Sequence, residues 1–202
     1  MKVLSSGQPT ESLTLLDERN LARLLIKRWR FGIGDNFYAV RMIAKDLKVT
    51  PDIDLLNVYV NPHHPEENTV IAFELKILKY HRRYKRISMT PFFQGLGQVL
   101  TYFQHGIDRA TLVMGFHPDT EAHPDETKQA EELLKEYGNY LKTSVFRNFP
   151  YLQIAYVKKA DLEWVLHQTD WDRARFPYSS DRNRELRREN ILQKQLTCEK
   201  LD

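Results

Sequence analysis

The chain has 202 residues, enough for one substantial core, and its 42% hydrophobic and 28% charged content is that of a globular domain rather than a disordered one. The formal charge of +3 is too small to indicate a nucleic-acid partner, so any such signal has to be local. The lone Cys198 excludes an intramolecular disulfide and a cysteine-based zinc site, and no apolar run is long enough to span a membrane. Met1 to Leu16 lacks the apolar block of a signal peptide, so a soluble, cytoplasmic protein with no membrane partner is expected.

Between Leu15 and Trp29, the residues Leu21, Ala22, Leu25 and Trp29 recur at helical spacing and predict an amphipathic first helix ended by Gly32 and Gly34. Asn36 to Ile43 reads as a strand. Asp52 to Val60 and Thr69 to Ile77 read as two more, joined by the turn-rich segment from Asn61 to Asn68, so a hairpin is the simplest arrangement. Thr90 as a cap and Pro91 in the first turn open a second helix with Phe93, Leu96, Leu100 and Phe103 as its stripe, closed by Gly106. Ala110 to Phe116 is apolar enough for a buried strand, Asp125 to Lys142 has helical composition, and Tyr151 to Val157 reads as the final strand. From about His167 arginines and carboxylates dominate. The expected organisation is one domain over 1–168 and a charged, partly helical extension over 169–202. The fold class expected is α/β, a central mixed β-sheet flanked by helices.

Side chains alternate along a strand, so Asp52 and Asp54 share a face with Leu56 and Val58. On the following strand Glu74 and Lys76 share a face with Val70 and Ala72. A hairpin brings the start of one strand beside the end of the next, so Asp52 or Asp54 meets Glu74 and Lys76. Carboxylates that share a site repel, and a hard divalent cation such as Mg²⁺ or Mn²⁺ relieves them. A lysine beside such a site suits hydrolysis of a phosphodiester. Spacing alone is weak, because Glu126-Thr127-Lys128 has the same spacing on a solvated helix. What distinguishes Glu74-Leu75-Lys76 is the apolar strand before it, Pro51-Asp52-Ile53-Asp54 upstream and the helix after it.

With Pro51-Asp52 on one strand and Glu74-Leu75-Lys76 on the next, the chain resembles the PD-(D/E)XK nuclease superfamily over about residues 15 to 116. The resemblance implies a restriction-endonuclease-like core of helix, three strands, helix and strand, and a Mg²⁺- or Mn²⁺-dependent deoxyribonuclease. It implies that Asp52 or Asp54 and Glu74 ligate the metal, with the Leu75 carbonyl as a further oxygen, and that Lys76 is the catalytic lysine. Asp52 fits by its proline, and Asp54 by its place inside an apolar strand. Many members also aim a glutamate from the first helix at the site; Glu18 is on the stripe of Leu21 and Leu25, although the helix dipole alone also favours a glutamate there. Some exonuclease branches carry a Gln-x-x-x-Tyr element, which Gln98 to Tyr102 resembles. That implies Gln98 at the site and Tyr102 near nucleic acid.

Lys79, Arg82, Arg83, Lys85 and Arg86 follow Lys76 with no acid among them and with Tyr80, His81 and Tyr84 interleaved. A solvated loop is the ordinary reading of such a run. Beside a phosphodiesterase site it is also where DNA would enter, with tyrosines available to stack on unpaired bases. A non-catalytic nucleic-acid-binding module and a scaffold that meets an acidic protein are the competing functions, and double-strand cutting would favour a homodimer. Gly95 and Gly97 are costly inside a helix and suggest a close backbone approach. His63 and His64 lack a third spaced ligand, and Cys198 has no local histidine to activate it.

Overall fold

The computed structural model describes residues 15–29, 34–42, 52–65, 68–141, 152–159, 161–166 and 182–201. Its elements in order are α1 (Glu18–Trp29), β1 (Asp35–Met42), β2 (Asp52–Tyr59), β3 (Thr69–Leu78), β4 (Tyr80–His81), β5 (Arg86–Ile87), α2 (Thr90–Tyr102), β6 (Arg109–Phe116), α3 (Pro124–Tyr140), β7 (Leu152–Lys158), β8 (Asp161–Leu166), α4 (Arg182–Leu192) and β9 (Leu196–Leu201). Among the described residues no helix is long and apolar enough to cross a membrane.

Seven strands form one mixed sheet in the order β8-β7-β6-β3-β2-β1-β9. The β2–β3 hairpin is antiparallel, while β3, β6 and β7 run parallel, with α2 and α3 as the crossovers between them. Alternation along the strands divides the core into two layers. Leu55, Phe73, Leu75 and Val113 pack against Leu21, Ala22 and Leu25 of α1. Leu56, Val70, Ala72, Leu112 and Met114 pack with Phe92, Val99 and Tyr102 of α2, Leu134 of α3 and Ile191 of α4. Each fully buried leucine contributes about 1.5–3 kcal/mol. The helices therefore cover both faces, as the pattern of apolar residues requires.

Several expectations need correction. Tyr151 to Val157 is not the last strand, because β8 and β9 follow and form the two edges of the sheet. Edge strands bury one side at most, so neither Asp161–Leu166 nor Leu196–Leu201 carries the apolar run that marks β6. Thr90 is not a cap: it lies in the first turn, and Met89, which precedes the helix, makes no side-chain cap; the Thr90 N–H donates to Ser88 Oγ at 3.4 Å instead. Gly106, with φ +80, does close the α2 end, through a short 3-10 turn over Phe103–His105. Helix α4 is held by Arg188, whose Nε is 3.3 Å from Asp108 Oδ1 and whose terminal nitrogen donates to the Asn68 carbonyl at 2.6 Å. Pro51, Gly32 and the arginine-containing stretch up to 181 lie outside the described residues.

Candidate active site

The β2–β3 ladder runs from Tyr59–Thr69 to Leu55–Phe73. At the next position a side chain takes over from the backbone, and the Leu75 N–H donates to Asp54 Oδ2 at 2.8 Å. This bond fixes the Asp54 carboxylate in the gap between the strands. In extended backbone the N–H and C=O of one residue leave on the same side, so the Leu75 carbonyl faces β2 as well.

Glu74 is fully buried. The Tyr102 hydroxyl, at the last turn of α2, donates to Glu74 Oε2 and lies 3.1 Å from the Asp52 carbonyl. Glu74 Oε1 has no hydrogen bond of good geometry and forms an ion pair with the Lys76 ammonium. Lys76 Nζ is also 3.5 Å from Asp54 Oδ2 and 4.0 Å from Glu18 Oε1. Glu18 belongs to the helix on the opposite face of the sheet from α2, so the site lies at the end of the ladder, where groups from both layers converge. Four residues singled out in the sequence, Glu18, Asp54, Glu74 and Lys76, thus meet.

Asp52 does not join them. It stands directly opposite Arg41 on β1, and Arg41 Nε is 3.2 Å from its Oδ1, both side chains being mostly exposed. Of the two candidate aspartates, the carboxylate beside Glu74 is that of Asp54. Gln98 is exposed on α2, and the α2 residues against the acids are Tyr102 and, one turn before Gln98, Gly95. A Cβ at Gly95 would sit 2.6 Å from Leu112 Cδ1 and 3.2 Å from Lys76 Cγ, whereas one at Gly97 would meet nothing within 4 Å. The close approach inferred from the two glycines therefore holds for Gly95 alone. Tyr102 is fully buried, so it cannot stack on a base; it is a positioning group for Glu74. The Gln-x-x-x-Tyr spacing located Tyr102, but nothing in the sequence said its hydroxyl turns inward.

Charge sets the chemistry of the cluster. Burial, and next the Asp54 charge, push the Glu74 carboxyl up to about 7, against the pull of Lys76 and Tyr102 in the other direction. Burial likewise raises Asp54 despite Lys76 and the Leu75 N–H, and raises Glu18, with Asp54 adding to the effect. Burial alone would lower Lys76, but Glu74, Asp54 and Glu18 outweigh it, so the ammonium is held above its ordinary value. Three carboxylates thus face one internal cation.

The donor set fits a hard divalent ion: oxygen ligands on adjacent strands, an excess of negative charge, and a buried Glu74 oxygen without a well-formed hydrogen bond. It is not a preformed metal group. Among the described residues no three His, Cys, Asp or Glu side chains are arranged to hold an ion. The physical reason is Lys76, whose ammonium lies among the acids and serves as their counter-ion.

Beyond Leu78 the chain forms a small hairpin, β4 against β5, with residues 81–86 exposed. Lys79, Arg82, Arg83, Lys85 and Arg86 belong to this segment, and Lys79 is near enough to the acids to lower Glu18. Control positions behave as solvated groups: Lys128 of Glu126-Thr127-Lys128 pairs with Glu132 at 4.0 Å on α3, and His63 and His64 lie exposed in their loop. Comparison of the chain with protein-family models, curated proteins and solved structures finds no match in any of the three.

Proposed function

We propose that this chain is a Mg²⁺- or Mn²⁺-dependent deoxyribonuclease of the PD-(D/E)XK type, on a restriction-endonuclease-like core, with Asp54, Glu74 and Lys76 at its centre. The observation that carries the reading is the meeting of Asp54, Glu74 and Lys76 at the end of the β2–β3 ladder, with Glu18 reaching in from α1. Asp54, Glu74 and the Leu75 carbonyl are the groups that would hold the metal. Bound there, the ion would polarise a phosphate and lower the pKa of a water.

The chain's own residues divide the remaining work. Tyr102 holds the Glu74 carboxylate in one orientation, and the Leu75 N–H does the same for Asp54. Lys76, kept protonated by its acidic neighbours, offsets negative charge that develops on a phosphate. Gly95 lets α2 approach closely enough for Tyr102 to reach β3. The basic hairpin supports a polyanionic substrate.

The test is cleavage of linear and circular DNA with Mg²⁺ and with chelator, by the wild type and by Glu74→Ala and Lys76→Ala. Loss of cleavage in chelator and in both variants, each still folded, is expected; cleavage unchanged in both variants removes the mechanism. One observation favours a second reading, a non-catalytic DNA-binding module: Lys76 already neutralises the acids, and no metal group is preformed among the described residues. DNA binding without cleavage, under any divalent ion, would select it.

A further inference from the structure

We propose that the hairpin over 80–87 is an arm that grips the phosphate backbone of double-stranded DNA without reading bases, which makes the substrate of the adjacent site duplex rather than single-stranded. The inference rests on the nuclease reading for the site it serves, and on four observations for the arm itself.

The arm is anchored. Tyr80 stacks on His123 with ring centroids 3.4 Å apart and 9° between planes, and Ile87, paired with Tyr80 across the hairpin, is buried in the core layer that contains α2. Its tip is therefore presented on a fixed base. A preorganised arm loses less entropy on binding than a mobile loop.

Its charge is uncompensated. Arg82, Arg83, Lys85 and Arg86 form no ion pair with any carboxylate among the described residues, in contrast to Lys158, Lys194 and Arg188, each of which has one. Cations held together and left unpaired are suited to a polyanion, which binds them with release of its own counterions.

Its aromatic rings are already engaged. The guanidinium carbons of Arg83 and Arg86 lie over the Tyr84 ring at 5.6 Å and 5.7 Å from its centroid, and the His81 ring is 4.6 Å away. Tyr80 faces His123, and Tyr102 is buried. Single-strand binding relies on free aromatic faces as stacking platforms, and on Tyr84, which is 57% exposed, a base would have to compete with two guanidinium groups already placed there.

The site itself repels its substrate. With three carboxylates around one ammonium, attraction for a phosphate backbone has to come from outside the acidic pocket, and the arm begins four residues after Lys76. The eight residues from Lys76 to Tyr84 reach at most about 28 Å. A 20-base-pair duplex therefore covers both.

The test uses full-length Glu74→Gln protein in chelator, with fluorescence anisotropy on a 20-base-pair duplex, on one of its strands alone and on oligo-dT. Duplex binding is expected to be about ten-fold tighter than single-strand binding or better. Replacing Arg82, Arg83 and Lys85 together by Gln should weaken duplex binding by about 10–100-fold and flatten the log–log salt slope by about 2.7. Tyr84→Leu should change it by no more than about two-fold. Single strands bound as tightly as duplex, or a Tyr84→Leu loss larger than that of the triple variant, would overturn the arm. The two readings fail separately. Arm-dependent duplex binding without Mg²⁺-dependent cleavage by the wild type sinks only the hydrolytic reading, and cleavage that ignores the triple substitution sinks only the arm.

Discussion

Replacing Glu74 by Gln should stabilise the metal-free protein at alkaline pH, which is the reverse of what removing a buried ion-pair partner ordinarily does. The Glu74 carboxyl is raised from 4.5 to about 7, first by burial and then by Asp54, a net effect that already includes the opposing pull of Lys76 and Tyr102. An acid with a higher pKa in the folded than in the unfolded chain binds its proton more tightly when folded. Its contribution to stability is therefore fully present below about 4.5 and is lost as the pH rises through about 7. At about 1.4 kcal/mol per pKa unit the loss by about pH 8 is at most on the order of 3 kcal/mol. Urea unfolding of wild type and Glu74→Gln in chelator, at about pH 4 and about pH 8, reads it directly. The variant should be more stable by about 1–3 kcal/mol at the higher pH and nearly equal at the lower one. Mg²⁺ at about a hundred times its Kd should return about 2.7 kcal/mol to the wild type and little to the variant. A variant less stable than wild type at pH 8, or a difference that does not change with pH, would refute the reasoning.

Lys76→Met removes the cation that competes for the acids, so Mn²⁺ should bind more tightly, by about ten-fold or more in calorimetry, while DNA cleavage is lost; weaker binding would show that Lys76 does not occupy the metal's place. Gly95→Ala and Gly97→Ala should act with opposite signs in thermal unfolding. The former overpacks against Leu112 and Lys76 and costs about 1–3 kcal/mol, less the gain in helix propensity. The latter meets open space and gains up to about 1 kcal/mol. Tyr102→Phe removes the donor to Glu74 and should cost about 1.5–3 kcal/mol at about pH 8, where the acceptor is charged, and less at pH 5; a loss equal at both pH values would mean that the hydroxyl matters for packing or for the Asp52 carbonyl instead.

The parts of this molecule legible in the sequence are those whose residues serve a single demand. The stripe of Leu21, Ala22 and Leu25, the apolar strand over Arg109–Phe116 and the hairpin that brings Glu74 to β2 each follow from burial on a fixed period. The acids were legible as a group because charges in apolar strands are costly enough to need a reason. Which of Asp52 and Asp54 stands beside Glu74 was not, since alternation places both on one face; in the structure Asp52 pairs with Arg41 across the strand, while Asp54 accepts from the Leu75 N–H. Tyr102 was misplaced for a similar reason. An amphipathic side chain at the end of a helix can turn its hydroxyl outward to solvent or inward to a buried acceptor, and only the depth of Glu74 decides it. Strands β8 and β9 escaped because an edge strand leaves half its side chains in water.

The claim on which the rest depends is that Asp54 and Glu74 grip one divalent ion together while Asp52 stands aside. Calorimetric titration of Mn²⁺ into wild type, Asp52→Asn, Asp54→Asn and Glu74→Gln tests it. One strong site is expected in the wild type and in Asp52→Asn, with its affinity reduced by about a hundred-fold or more in the other two. Equal affinity in all four proteins, or loss in Asp52→Asn alone, would contradict the account.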